Sequence, residues 1–176
     1  YSNVEKIYID ATDAYGSFEK IFKGTLQHNL LANANSKARI RMMVLYYLAT
    51  SHHGLVVGTG NKVEDFGVGF FTKYGDGGVD ISPIADLTKT QVRKIAVSLE
   101  ISQEILNAPP TDGLWEDSRT DESQIGASYE ELEWAMDYVD NLAEREKEVL
   151  RIYSSFNKKN RHKMESIPIF KVKENK

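Results

Sequence analysis

Two runs, Leu55–Glu64 and Phe70–Asp80, constrain this chain more than any other stretch. The first opens on Leu55, Val56 and Val57 and breaks at Gly58, Thr59, Gly60 and Asn61, while the second sets Gly75, Gly77 and Gly78 between Lys73 and Asp80. A short, fully apolar segment of that kind fits a strand in a parallel sheet covered on both faces. The turn behind it places a hydroxyl and several backbone N–H groups at the carboxyl edge, where open α/β sheets bind ligands. Together the runs hold five glycines, two lysines and three carboxylates, more than a structural loop requires. A site for phosphates, a divalent metal and a polar ligand does require that mixture.

The flanking sequence supplies the rest of an alternating pattern. Val4–Ile9 reads as a strand, and Gly16–Leu31 as partly helical, with Phe18, Ile21, Phe22 and Leu26 on one side. Asn33–Ser36 offers N-cap chemistry for a long helix whose apolar stripe is Ile40, Met43, Val44, Tyr47 and Leu48. His52 and His53 fall in its last turn, with Gly54 as the C′ residue. Thr88 with Gln91 predicts a capped helix to Glu100, buried through Val92, Ile95, Ala96 and Leu99. Pro109 and Pro110 end a short helical piece, and Ser128 with Glu131 caps a helix turning Tyr129, Leu132, Met136 and Val139 inward. A last helix buries Val149, Ile152, Tyr153 and Phe156. Strand–helix–strand order predicts an α/β fold, a parallel sheet flanked by helices with right-handed crossovers. No repeat or linker divides residues 1–176, so a single domain is expected.

Composition narrows the classes. A net charge of -4 lacks the basic face that extended nucleic-acid binding requires. No run has the length of a membrane span, and no signal-peptide pattern opens the chain, so a cytoplasmic protein is expected. Zero cysteines exclude a disulfide framework, a thiolate nucleophile and a cysteine metal site within this chain.

Individual residues leave two readings each. Glu64 suits Mg²⁺ with bound phosphates, or is a solvated carboxylate on a short helix. The Gly75–Gly78 segment permits positive φ and an anion nest, or is a plain turn. Lys89, unfavourable to the dipole at a helix N-terminus, is a phosphate ligand or a solvated lysine. Arg39 and Arg41 are solvated or paired with acids. His52 and His53 point in different directions, which disfavours one shared ion. Trp115 and Trp134 read as packing residues.

The ordered motifs Asn35–Arg41, Gly58–Glu64, Phe71–Asp80, Leu87–Thr90, Pro109–Trp115, Asp121–Tyr129 and His162-Lys163 together resemble NAD⁺ synthetase, over roughly Asn33–Pro168. The resemblance implies a Rossmann-like fold of the adenine-nucleotide alpha-hydrolase kind and an ATP-pyrophosphatase reaction. ATP would adenylate deamido-NAD⁺ with release of pyrophosphate, and ammonia would then displace AMP to give NAD⁺. It further implies that Thr59, Lys89 and Thr111 contact ATP and that Glu64 binds Mg²⁺. Arg39, Lys73, Asp80, His162 and Lys163 would contact deamido-NAD⁺. A homodimer with Arg39–Leu48 near its interface is implied, and ammonia must arrive free or from a separate glutaminase.

One departure stands out. The family's Ser-Gly-Gly-x-Asp-Ser phosphate loop occurs nowhere in these 176 residues. With the chain opening in a strand and without Met, this leads to the expectation that an N-terminal portion is missing. The chain alone is then expected to be inactive or nearly so, with an intact parent or a partner chain restoring the site. Two alternatives are a related ATP-pyrophosphatase such as GMP synthetase and a non-catalytic fragment that binds nucleotide or dimerises. The Lys73–Asp80 segment and the His162-Lys163 end argue against the first, while the missing loop favours the second.

Overall fold

The computed structural model describes residues 3–24, 29–115, 117, 119–138 and 142–172. Two helices open it, α1 (Thr12–Phe22) and α2 (Leu30–Ser51). A seven-residue π-helix, Lys62–Val68, follows. Then come α3 (Lys89–Ser98), α4 (Gln103–Leu106), α5 (Asp121–Ile125), α6 (Tyr129–Met136) and α7 (Glu144–Met164). Among the described residues no helix is long and apolar enough to cross a membrane.

Local chemistry sets most boundaries. The expected caps of α3 and α6 are both closed capping boxes, Thr88 with Gln91 and Ser128 with Glu131. α2 starts earlier than its polar run predicts, because Asn29 accepts the Ala32 N–H at 3.0 Å and supplies the cap. Asn33–Ser36 therefore lies inside the helix, where Ser36 bonds back to the Ala32 carbonyl. At its far end the left-handed residue is His53, φ 54°, rather than Gly54.

The core lies where the π-helix, α6 and α7 meet. Val63, Val68, Tyr129, Leu132 and Val149 are its buried centre, with Ile152, Tyr153 and Phe156 packed against it as expected. Leu26 and Val139 lie outside the described residues. Two expected stripes are buried only in part. Ile40 of the α2 stripe is buried and Val44 and Leu48 are half-buried, but Met43 and Tyr47 are exposed. Beside half-buried Val92 and Ala96, the α3 residue Ile95 and its C-cap Leu99 are exposed. α2 also buries Ala34 and Ala38, and the small side chain of Ala38 lets Gly75 approach closely.

Of the expected parallel sheet the described residues contain one isolated parallel bridge, Val57 with Ile81. Gly58 N–H donates to the Ile81 carbonyl at 2.7 Å and Asp80 N–H to the Val56 carbonyl at 2.9 Å. Val56 is buried while Leu55 and Val57 are exposed, so this run covers one face where two were expected. Val4–Ile9 is exposed and has no ladder partner among the described residues. β-propensity alone cannot satisfy a strand's N–H and C=O groups.

Candidate active site

Asn61 fixes the start of the site. It is buried, and its side-chain oxygen accepts the N–H groups of Val63 and Glu64 at 3.0 and 3.1 Å, capping the π-helix. At the other end the N–H groups of Gly69 and Phe70 both reach the Glu64 carbonyl, and Gly69 takes φ 61°. π-turns of this kind recur at functional sites. Three donors on α7 hold the following backbone: Asn157 on the Gly67 carbonyl, Asn160 on Val68, and Lys163 on Gly69 and Phe71.

Glu64 points into a cavity of about 580 Å³ walled by the π-helix, α3, the Pro110–Trp115 segment, α5 and the end of α7. Its Oε1 accepts Lys89 Nζ at 2.9 Å and also the Tyr129 hydroxyl. The Lys89 ammonium stands 4.8 Å from the Tyr129 ring centroid. The same hydroxyl lies 3.1 Å from Asp121 Oδ2, while Asp121 Oδ1 is buried without a partner. Burial foremost holds the Asp121 carboxyl above the usual range, against the Tyr129 hydrogen bond and with Glu64 repelling its charge.

Two more carboxylates face the cavity. Asp65 is pushed up to about 7, by burial first and then by Glu64 and Asp76. Its carboxylate takes the space beside Gly60, where a Cβ would come within 1.9 Å of it. Asp76 accepts the Thr72 N–H at 2.9 Å, and burial raises its pKa as well.

Six expected site residues line this cavity: Thr59, Glu64, Lys89, Thr111, His162 and Lys163. Arg39, Lys73 and Asp80 do not. Arg39 donates to the Lys73 carbonyl at 3.3 Å, and Lys73 Nζ to the His162 carbonyl at 2.5 Å. Asp80 accepts the Val56 N–H and the Tyr46 hydroxyl, which brace the bridge. Lys163 spends its donors on two carbonyls, and burial lowers its pKa.

The glycine segment works differently from the expected anion nest. Gly75, Gly77 and Gly78 all have ordinary negative or extended φ, and the positive value, 62°, belongs to Tyr74. They are glycines because neighbours are close: a Cβ on Gly77 would meet the Phe71 ring at 2.3 Å. Arg41 is exposed, and its guanidinium donates not to an acid but to the carbonyls of Asp112 and Gly113, at 3.2 and 3.0 Å. Trp115 lines the cavity, donates to Asp112 at 3.1 Å and carries Arg119 over its ring at 4.4 Å.

Sequence reasoning assigned no role to Asp65, Asp76 or the Tyr129 hydroxyl. Only Tyr129 left a signal, since a tyrosine at a core position brings a hydroxyl that must find a partner.

Comparison with known proteins gives this geometry its context. Residues 2–170 match the family described as NAD synthase. The NH(3)-dependent NAD(+) synthetase of Archaeoglobus fulgidus is 43% identical over 144 residues, covering 82% of this chain and 58% of its own length. That of Methanococcoides burtonii is 52% identical over 101 residues, 57% of this chain and 38% of its own. The solved NMN synthetase of Francisella tularensis superposes with a TM-score of 0.86 at 32% identity, over 97% of this chain and 68% of that one. The chain thus spans about half the length of the curated relatives it matches, and shares the fold of these synthetases. On the family match and these likenesses, the chain belongs to the NAD synthase family.

Proposed function

We propose that the protein carrying this chain makes NAD⁺ from deamido-NAD⁺, ATP and ammonia. The observation that carries this reading is the Glu64–Lys89 pair, 2.9 Å apart, facing a cavity that Thr59 and Thr111 also line, in a chain of the NAD synthase family. A nicotinate carboxylate oxygen attacks the α-phosphorus of ATP, and the bond from that phosphorus to pyrophosphate breaks. Ammonia then bonds to the acyl carbon, the C–O bond to AMP breaks, and a proton leaves the nitrogen. No step needs a protein nucleophile. The protein's work is to hold the reactants and to stabilise the charge on the departing pyrophosphate.

In this reading Thr59, Lys89 and Thr111 contact ATP. Arg39, Lys73 and His162 receive the dinucleotide at the rim, while Asp80 and Lys163 support that wall through backbone groups. Magnesium fits the donors: both Lys89 and Tyr129 converge on Glu64 Oε1, which leaves Oε2 for an ion, and Asp121 Oδ1 is a buried oxygen without a partner. Among the described residues no three acidic or histidine side chains converge as a metal cage. Mg²⁺ usually takes one or two carboxylates together with substrate phosphates, so Glu64 and ATP would share it. Bound there, the ion would supply positive charge to the leaving group. A parallel sheet grown from the Val57–Ile81 bridge, a cytoplasmic location and a homodimer through α2 belong to the same reading.

The intact gene product should release pyrophosphate from ATP only when deamido-NAD⁺ is present. Release with xanthosine monophosphate instead would sink the assignment. Glu64→Gln should lower turnover on the order of 10²–10³-fold, the range for lost charge stabilisation in the transition state. Unchanged Mg²⁺ dependence in that variant would remove Glu64 from the metal site.

The likeness to the Francisella tularensis NMN synthetase favours a second reading, in which the acid mononucleotide is the substrate. Comparing kcat/KM for nicotinate mononucleotide and deamido-NAD⁺ decides between them.

A further inference from the structure

Tyr129 is clamped at both ends. Its ring is fully buried in the core formed by the π-helix, α6 and α7. Its backbone N–H donates to Glu122 Oε1 at 2.9 Å, and its hydroxyl meets Glu64 Oε1 on one side and Asp121 Oδ2, at 3.1 Å, on the other. Adjacent residues of α5 thus grip the main chain and the phenol of one side chain. The Ser128 capping box fixes the turn from which it projects.

The consequence falls on Glu64. The last torsion of a glutamate is broad and roughly two-fold, so one donor does not set which oxygen faces a ligand. Lys89 alone is such a donor, and a flexible one. Here two donors meet on the same oxygen, and the second sits on a fully buried ring packed in the core.

We infer that Tyr129 is a positioning residue: its hydroxyl holds Glu64 Oε1 and thereby presents Oε2 to the cavity and to a divalent ion. The inference rests on the reading of Glu64 as the metal carboxylate. Groups of this kind behind a metal ligand are worth about 10–100-fold in metal affinity or activity when removed.

The test is Tyr129→Phe in the intact gene product, which keeps the ring and removes the hydroxyl. The Mg²⁺ concentration for half-maximal pyrophosphate release should rise about 10–100-fold, with kcat reduced and KM for the pyridine nucleotide little changed. In a Glu64→Gln background the same change should add almost nothing, because Tyr129 acts through Glu64. Wild-type Mg²⁺ activation in Tyr129→Phe, or losses that simply multiply in the double variant, would overturn the inference. A measurement without metal or turnover separates this failure from failure of the functional reading. In chelated protein, the ¹³Cζ resonance of Tyr129 should shift on Glu64→Gln. A resonance that stays put overturns the inference whatever the enzyme's substrate, and remains readable even where Tyr129→Phe does not fold.

Discussion

Burying Asp65 beside Glu64 and Asp76 has a consequence for stability that can be signed. Its carboxyl is pushed up to about 7 in the folded chain, by burial first and then by those two neighbours. An unfolded aspartate titrates at about 4. Between those values the folded state holds a proton that the unfolded state has lost, so stability falls as pH rises through the window. The penalty is complete above it and absent below it. Asp65→Asn removes the charge and should flatten the curve. Urea midpoints in chelator should favour the variant at pH 8 and converge with wild type near pH 4, and parallel curves would refute the assignment. That Glu64 faces the cavity was legible because it follows an apolar run and a Gly-Thr-Gly-Asn turn. Asp65 was not, because its place depends on Gly60 leaving room for a carboxylate where a Cβ would otherwise stand.

The π-helix shows why some elements can be read from sequence and others cannot. Both capping boxes were legible, since Thr88 with Gln91 and Ser128 with Glu131 are short-range chemistry. The inward side of α6 was legible too, through Tyr129 and Leu132. A π-turn has no such local code. Here its exit is held from another element by Asn157, Asn160 and Lys163, spaced one turn apart on α7 and donating to consecutive carbonyls. Asn160 is the buried member, 2.8 Å from the Val68 carbonyl, with its Cβ where a side chain on Gly69 would lie. Asn160→Ala withdraws a donor from a buried carbonyl and should destabilise by about 1–3 kcal/mol. Denaturant unfolding measures this, and a loss within error of zero would show that the ladder does not hold the turn. The exposed faces of α2 and α3 were misread for a related reason. Periodicity finds an apolar stripe but cannot say what covers it.

At the scale of the whole molecule, the uncovered stripe of α2 is the feature to account for. Met43 and Tyr47, four residues apart on one helix, are 58% and 73% exposed. Scattered apolar residues on a surface need no explanation, but neighbours on one helix face form a patch. The proposed homodimer through α2 would cover it. In a two-fold interface each residue occurs twice, so one substitution acts at two places. Burying a large apolar side chain is worth about 1.5–3 kcal/mol, so losing two copies of Tyr47 should weaken association by about 3–6 kcal/mol. Every 1.4 kcal/mol is tenfold in Kd, which makes the loss on the order of 10²–10⁴-fold before the cost of burying a charge. Tyr47→Glu adds that charge while leaving the monomer's core untouched, because Tyr47 contributes nothing to the buried cluster. Sedimentation velocity on the intact gene product should therefore give a dimer for wild type and a monomer for Tyr47→Glu at micromolar concentration, with an unchanged far-UV circular dichroism spectrum. A dimer that survives the substitution would take α2 out of the interface. A monomer in wild type would take the dimer out of the proposal and leave Met43 and Tyr47 to be explained by some other cover.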